Sequence, residues 1–447
     1  MMKLTHWMTT FINNEKNIEK HCLDFEMDTG IENNVINIYP QEVGQIFEGF
    51  GGAFTESAGY VYSLMDKKSK DKLIDTYFNE DKMNYNLGRI HLDSCDFSLN
   101  MYEALSDKED RAMKSFSIER TKKYIIPFIE DVQNKIGKKI EIMVSPWSPP
   151  AFMKTNNSRV KGGNLLPEYR DFWANYICKY IKELRAIGLN IKRLSTQNEP
   201  AAIQTWDSCL YSAEEEGIFI SEHLYPAMVK NNLTDIEIFI WDHNKERAFE
   251  RACIILNEEV APLVDGIAFH WYSGDHFEAL DLIKKRFFNK KLILSEACIE
   301  YSKYSSNDYL GNAQKYAHDI IGNLNAGMNA FYDWNLLLNA QGGPNHVKNF
   351  CDAPYLYDVQ NKELLERNTL SYIWHFSHFI KPYAQRISYS RFTTDIDIVT
   401  FKNPDNEIVV IVLNTLNENK EIFIRLNQKV TKINIKAKSI STLVIKK

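Results

Sequence analysis

Eight short apolar runs, each followed by a helical pattern, set the strongest limit on the fold of this chain. They lie between about Phe47 and Phe379. Apolar runs that alternate with helices are typical of βα units around a parallel sheet, and eight parallel strands are the number that closes a barrel. We therefore predict an α/β fold, a (β/α)8 or TIM barrel, with strands at residues 47–55, 87–93, 140–145, 193–197, 236–241, 266–271, 292–295 and 330–334.

The pattern changes to a period of two beyond about Pro382. Apolar and polar residues alternate over residues 395–401 and 422–426, with turn-forming residues between them. Such alternation is typical of antiparallel strands, but this segment is short for a whole sandwich. Residues 34–39 alternate as well, so we expect them to add a strand to it. The predicted organisation is a catalytic barrel over residues 47–379 and a side antiparallel β-sandwich built from residues 1–46 and 380–447.

Charge and cysteine content exclude several classes of function. The 53 basic and 59 acidic residues are interspersed, so no basic stripe indicates a nucleic-acid partner. The seven cysteines form no CxxC pair, which favours neither a disulfide framework nor a zinc site, and a reducing compartment is the simpler interpretation. Residues 1–20 contain no apolar stretch of signal-peptide length, and no run of about 20 apolar residues indicates a membrane span. We predict a soluble cytoplasmic protein.

Polar and aromatic residues crowd the points where the predicted strands end. Residues 89–96 follow the second strand, residues 145–150 the third, and residues 241–243 the fifth. Barrel enzymes place their active residues at this edge, where the loops begin. Clusters at every strand end indicate a pocket for a polyhydroxylated substrate.

Two glutamates stand out among these residues. Glu199 closes the fourth strand and Glu296 the seventh, each after a run that should be buried. An unpaired buried carboxylate is costly, although either one alone could be a salt-bridge partner. Glycoside cleavage needs such a pair, in which one carboxyl protonates the leaving oxygen and the other attacks or activates water. A glycan-binding protein that has lost catalysis would lack one of them, and both are present.

Eight motifs that appear in order resemble glycoside hydrolase family 30, on the side that contains the glucosylceramidases. The resemblance covers roughly residues 47–358, and the loop after Glu199 (residues 201–211) is close to that of bacterial members. The motifs are FEGFGGAFT (47–55), SCDFS (94–98), SPWSP (145–149), NEP (198–200), HWY (270–272), SEAC (295–298), DWNL (333–336) and GGPNHVKNF (342–350).

The resemblance implies roles for the residues around the reacting atoms. Glu199 would be the acid/base and Glu296 the nucleophile of a double displacement. Arg89 and Tyr272 would lie near Glu296 and keep it ionised, and His270 would support that network. No cofactor and no metal would be required.

The resemblance also implies contacts to the sugar. Asn198 would donate to the 2-hydroxyl, a contact that strengthens in the oxocarbenium-like transition state. Asp96 and Trp147 would hold the 3- and 4-hydroxyls, Trp334 would line the same pocket, and Asn349 would lie towards the leaving group.

These implied roles predict a retaining, exo-acting β-glycosidase whose partner is a small-molecule or oligosaccharide β-glycoside. An endo-acting β-glucanase or xylanase on the same scaffold is the alternative, as is a β-xylosidase or β-fucosidase. The loop at residues 201–211 differs from that of the glucosylceramidases, which disfavours ceramide as the leaving group.

Two further clusters have simpler interpretations. A metal site at His91, Asp93 and Asp96 is disfavoured, because strand alternation places only the first two on one face and no further ligands cluster there. A nucleotide loop would need a Lys-Ser/Thr pair that is missing, so we interpret Gly49, Gly51 and Gly52 as room for a close strand-end turn.

Overall fold

The computed structural model describes residues 2–446, in which a closed barrel is joined to a ten-stranded sheet. Residues 1 and 447, the ends of the predicted sandwich, lie outside the described residues. The chain begins in the ten-stranded sheet, where residues 34–39 add a strand as expected but are preceded by further strands. These N-terminal strands are β1 (Lys3–Ile12), β2 (Glu15–Asp24), β3 (Glu26–Met27) and β4 (Val35–Phe47).

Eight parallel strands close the barrel and confirm the predicted fold. Their bounds differ from the prediction by a few residues, most at the fourth strand, which begins and ends earlier, and at the fifth, which runs on to Asn244. The strands are β5 (Gly49–Ala53), β6 (Leu87–Leu92), β7 (Glu141–Pro146), β8 (Asn190–Ser195), β9 (Glu237–Asn244), β10 (Gly266–His270), β11 (Lys291–Glu296) and β12 (Ala330–Asn335).

Helices return the chain between these strands, and side chains cap several of them. The Thr55 hydroxyl accepts the Ala58 N–H at the start of the first helix, and Ser212 and Glu215 form a capping box at the fifth. The helices are α1 (Glu56–Leu64), α2 (Lys67–Phe78), α3 (Glu119–Ile136), α4 (Arg170–Ala186), α5 (Ala213–Ile218), α6 (Tyr225–Lys230), α7 (Ala248–Ile255), α8 (Phe277–Arg286), α9 (Tyr309–Asn325) and α10 (Asn368–Ser377). None of the helices within residues 2–446 combines the length and apolar character that crossing a bilayer needs.

The glycines at the start of the barrel do not form the close turn that we expected. Gly49, Gly51 and Gly52 lie inside β5 itself. A Cβ atom on Gly51 would stand 2.1 Å from the carbonyl oxygen of Leu87 on the neighbouring strand β6. The absent side chain therefore lets two barrel strands approach each other, which is a packing requirement rather than a turn.

The ten-stranded sheet folds into the predicted sandwich. A small sheet, β13 (Leu338–Asn339), β14 (Tyr355–Asp358) and β15 (Glu363–Glu366), lies along the chain between the last barrel strand and the C-terminal strands of the large sheet. One apolar core takes residues from strands at both ends of the large sheet, and the pairing is antiparallel except between the fourth N-terminal strand and β19. The C-terminal strands are β16 (Ala384–Arg391), β17 (Asp397–Lys402), β18 (Ile408–Asn414), β19 (Lys420–Leu426), β20 (Lys429–Ile435) and β21 (Ser439–Lys446).

Histidines lie where the sandwich meets the barrel helices. In α9, His318 contacts Asp397 of β17 at 2.7 Å and Asp275 at 3.0 Å, and these hydrogen bonds raise its pKa to about 9. In α10, buried His375 lies 2.8 Å from both Thr9 and Thr442, and burial lowers its pKa to about 3. The first histidine is therefore charged at neutral pH and the second is not.

Candidate active site

Side chains at the carboxyl ends of the barrel strands line a cavity of about 370 Å³. Two further residues predicted for the site, Arg89 and His270, lie fully buried behind its wall. The structure thus brings together residues that are far apart in sequence. The predicted site residues on the cavity surface are Asp96, Trp147, Asn198, Glu199, Tyr272, Glu296, Trp334 and Asn349.

Glu296, the last residue of β11, accepts hydrogen bonds from two neighbouring side chains. Arg89 Nη1 donates to its Oε2 at 2.6 Å, and the Tyr272 hydroxyl donates to its Oε1 at 2.9 Å. Burial raises the pKa of Glu296, and the positive charges of His270 and Arg89 oppose that rise. The two donors fix both oxygens of this carboxylate in one orientation.

Glu199 has a different setting. Its backbone lies in the left-handed region, with φ of +47°, and its N–H donates to the Asp242 carbonyl at 2.9 Å. A non-glycine residue held in this region stores strain, which is common at functional sites. Its carboxyl makes only long contacts, to Gln204 Nε2 at 3.3 Å and to His270 Nδ1 at 3.4 Å. This carboxyl is therefore held more loosely than that of Glu296.

His270 lies between two carboxylates. Its Nδ1 faces Glu199, and its Nε2 is 3.1 Å from Asp242 Oδ1. Burial disfavours a charged ring, but Glu296, Asp242 and Glu199 together raise the pKa of His270 to about 9. Burial would likewise raise the pKa of Glu199, yet the hydrogen bond from His270 and the field of His243 bring it below its usual range. His270 and Glu199 thus share one proton, held on the histidine.

Asp242 belongs to the site although sequence reasoning did not assign it a role. Its Oδ2 accepts from Arg89 Nη2 at 2.9 Å, and the Arg89 charge opposes the effect of burial and holds the pKa of Asp242 well below its usual range. An irregularity in β9, where Trp241 and Asp242 both have positive φ, turns this side chain towards the barrel interior. The one indication in the sequence was the position of Asp242 in the polar cluster of residues 241–243, at the end of the predicted fifth strand.

The remaining predicted residues form an enclosed end of the cavity. The rings of Trp147 and Trp334 stack with centroids 5.4 Å apart, and Arg89 lies 4.9 Å from the Trp147 centroid. Asp96 accepts from Asn349 Nδ2 at 3.0 Å. Burial and the charge of Glu296 raise the pKa of Asp96 to about 8. A protonated carboxyl, an amide and two aromatic faces suit a hydroxylated ring.

We expected Asn349 towards the leaving group, and the structure places its side chain against Asp96. The reason is the path of residues 342–350, which fold back over residues 94–98, so that the His346 N–H donates to the Ser98 carbonyl at 3.1 Å.

His91 and Asp93 make hydrogen bonds to the backbone and side chains of neighbouring segments. His91 Nε2 accepts the Glu56 N–H at 3.0 Å, and Asp93 accepts from the Tyr176 hydroxyl at 2.6 Å and from the Ala104 N–H at 2.8 Å. Across residues 2–446, no three His, Cys, Asp or Glu side chains lie where they could share a metal ion.

Comparisons with known proteins match both the barrel and the sandwich of this chain. A family model of the glycosyl hydrolase family 30 TIM-barrel domain matches residues 47–380, and one of that family's beta sandwich domain matches residues 384–443. Lysosomal acid glucosylceramidase of Mus musculus is 32% identical over 402 residues, 86% of this chain and 78% of that protein.

Solved structures share the whole architecture. SrfJ from Salmonella typhimurium superimposes with a TM-score of 0.95 at 35% identity, over 99% of each chain. The endo-beta1,6-glucanase BT3312 superimposes with a TM-score of 0.88 at 24% identity, again over 99% of each chain. The second of these similarities concerns the fold alone.

Proposed function

Since this chain belongs to glycosyl hydrolase family 30 and is therefore a glycoside hydrolase, we propose that it releases terminal β-linked sugars with retention of configuration. The observation that carries the proposal is the unequal setting of the two glutamates. Arg89 and Tyr272 donate to the two oxygens of Glu296 and hold its carboxyl in one orientation, as a nucleophile requires, whereas Glu199 is loosely held beside a proton on His270.

In the first step, Glu296 attacks the anomeric carbon and forms a covalent glycosyl-enzyme. His270 first passes its proton to Glu199 across their 3.4 Å contact, and the leaving oxygen takes that proton from Glu199, so that Glu199 is a carboxylate at the end of this step. Asn198, oriented by Arg89 at 2.9 Å, contacts the 2-hydroxyl as positive charge develops on the ring.

In the second step, Glu199 removes a proton from water, and the resulting hydroxide displaces Glu296 from the anomeric carbon. Two inversions give net retention. The proton returns to the pair formed by Glu199 and His270, so the site is restored without any further reactant.

Exo action is supported by the enclosed end of the cavity, where Asp96 and Asn349 contact each other beside the stacked tryptophans. A terminal sugar fits there, and a continuing chain meets that wall. Endo action is the second candidate, favoured by a similarity of 26% identity over 238 residues to an endo-1,6-beta-D-glucanase of Neurospora crassa. We propose glucose as the terminal sugar, supported by the similarity to glucosylceramidase, and a panel of aryl β-glycosides with one constant leaving group tests it.

Chemical rescue with azide tests the two roles. Glu296→Gly opens a hole on the face opposite the leaving group, so azide with an activated β-aryl glycoside should give the α-glycosyl azide. Glu199→Ala still forms the covalent intermediate when the leaving group needs little protonation. Azide then enters from the Glu199 side and should give the β-glycosyl azide. Proton coupling constants distinguish the two products.

The matched control is Glu250→Gly, at an exposed glutamate of α7 that forms an ion pair with Arg247. It should form no glycosyl azide and keep wild-type hydrolysis. Exchanged anomeric configurations would reverse our assignment of the two glutamates, and full activity of both variants on poor leaving groups would refute it.

A reducing, cytoplasmic setting is part of the proposal. Its support is that all seven cysteines are free thiols and that most of them are buried. Disulfides rarely persist where the thiol pool is reduced, so unpaired cysteines are stable there.

A further inference from the structure

The cavity continues beyond the catalytic glutamates into an outer part with its own lining. One wall comes from the loop after Glu199 and carries Gln204 and the half-buried Trp206. Another comes from the loop after β11 and carries Glu300 and Lys303, which form an ion pair at 2.7 Å. We call this outer part the leaving-group subsite, because Gln204 on its wall contacts the carboxyl of Glu199, the group to which we assign protonation of the leaving oxygen.

The loop that carries Trp206 is anchored in the protein interior. Asp207, the next residue, is buried and accepts from Arg159 Nε at 2.6 Å and from the Ser94 hydroxyl at 3.0 Å. The Gln204 carbonyl accepts the Lys161 N–H at 2.8 Å. Anchors on both sides hold the Trp206 backbone in place before any ligand arrives, and a preorganised wall binds at a smaller entropic cost.

Trp206 extends an aromatic wall that begins inside the terminal-sugar pocket. It packs against the cluster that contains Trp147 and Trp334. Across from it, Lys303 Nζ lies 5.8 Å from the ring centroid of Tyr272, the residue that holds Glu296. The leaving-group subsite therefore combines one flat apolar face with a charged, partly exposed ion pair.

We infer that the leaving-group subsite binds a second sugar residue, so that the substrate is a β-linked disaccharide or short oligosaccharide and not a glycolipid. The inference rests on the proposed glycosidase function. A pyranose offers a flat face of C–H groups to Trp206 and hydroxyls to Glu300 and Lys303. An alkyl chain would remove water from that ion pair and return no hydrogen bonds, which disfavours it.

Three substrates with the same terminal sugar separate this subsite from the catalytic centre. A β-glycosyl fluoride has no leaving-group ring, a β-linked disaccharide has one, and an octyl β-glycoside has an alkyl chain. The disaccharide and the octyl glycoside both release an alcohol, so neither substrate has the better leaving group. Trp206→Ala removes the platform, Trp206→Phe keeps an aromatic face, and Lys303→Met changes an exposed side chain that carries little risk to folding.

We expect Trp206→Ala to lower kcat/KM for the disaccharide by roughly 10- to 100-fold and for the fluoride by less than about threefold. Trp206→Phe should keep most of the disaccharide activity, and Lys303→Met should lose about three- to tenfold on the disaccharide alone. Fluoride turnover also reports that each variant is folded. The wild-type enzyme should prefer the disaccharide to the octyl glycoside.

Two results overturn the inference while leaving the proposed function intact. One is a wild-type enzyme that turns over the fluoride but prefers the octyl glycoside. The other is an equal loss on fluoride and disaccharide in Trp206→Ala. A wild-type enzyme that hydrolyses none of the three substrates refutes the proposed function, and the inference falls with it.

Discussion

Arg89 organises the charges of the site. Its guanidinium is fully buried and contacts Glu296, Asp242 and Asn198 at 2.6, 2.9 and 2.9 Å. Removing one partner of a buried pair leaves an uncompensated charge, which costs about 3–5 kcal/mol. The arginine was predictable from the resemblance, since it opens the second strand-end cluster. Asp242 was not, because its direction depends on an irregularity of β9 that single-sequence periodicity does not reveal.

Replacing His270 should move the pH dependence of catalysis. A positive charge beside a carboxylate lowers its pKa, and His270, whose own pKa is raised to about 9, carries that charge at neutral pH. His270→Gln leaves Glu199 as the only holder of the proton that the leaving oxygen takes. A carboxyl loses its proton at lower pH than His270 does, so the basic limb of kcat/KM moves to lower pH by about one unit or more. The measurement is a pH profile with an aryl β-glycoside.

His375→Gln is the matched control for this shift. That histidine is equally buried but lies in α10 against the sandwich. Its variant should keep the wild-type profile. A basic limb that stays in place or moves up in His270→Gln would contradict the shared proton.

Asp96 tests exo action. Asp96→Ala removes a buried carboxyl that is held by Asn349 at 3.0 Å and that we place against the terminal sugar. We expect kcat/KM for an aryl β-glycoside to fall by the equivalent of about 2–3 kcal/mol, roughly 30- to 150-fold. Asp96→Asn keeps the shape and a donor and should lose less. Near-normal activity of Asp96→Ala, or internal oligosaccharides released from a β-glucan by the wild type, would favour endo action.

Among the helices and strands, those whose buried residues follow a regular spacing along the sequence were predictable, and those without such a spacing were not. The barrel strands are short apolar runs, and their alternation with helices located all eight. The β1–β2 hairpin gave no such signal, because β1 is covered on both faces and β2 is mostly exposed. Neither strand therefore shows the half-buried alternation that marked residues 34–39. The role of the β5 glycines was also hidden, since close contact with β6 exists only after the barrel closes.

Strand β5 should not tolerate a side chain at Gly51. Gly51→Ala places a Cβ atom 2.1 Å from the Leu87 carbonyl oxygen, so the two strands must separate. We expect the free energy of unfolding to fall by about 1–3 kcal/mol or more, measured by chemical denaturation. Gly217→Ala, in α5 with its nearest neighbouring atom at 3.7 Å, is the control and should be neutral or slightly stabilising. Equal stability of both variants would show that β5 and β6 can move apart freely.

At the scale of the whole molecule, the barrel and the sandwich share apolar contacts. One buried cluster runs from Phe47 and the barrel helices to Phe401, Val409 and Val444 of the C-terminal strands. The sequence predicted two units with different periodicities, and it could not show that their cores are continuous. We expect the two units to unfold together as a consequence.

The number of free thiols in the whole molecule tests the proposed reducing compartment. All seven are free in the structure, and Cys22 is the exposed one. Thiol titration without reductant should find seven thiols after denaturation and rapid reaction of Cys22 alone in the native protein. Its variant Cys22→Ser should lose the rapid phase. Five or fewer thiols in the denatured protein would contradict the reducing setting.

The pairing of β1 with β21 has a consequence for synthesis. A ribosome makes β1 before every other strand described and makes its partner β21 after all of them. At roughly ten residues per second, the hairpin of β1 and β2 waits on the order of forty seconds. An isolated hairpin is marginally stable in water, so this segment stays accessible while the barrel emerges. The sandwich is completed only once β21 has left the ribosome, and until then its first strands are open to chaperones and proteases.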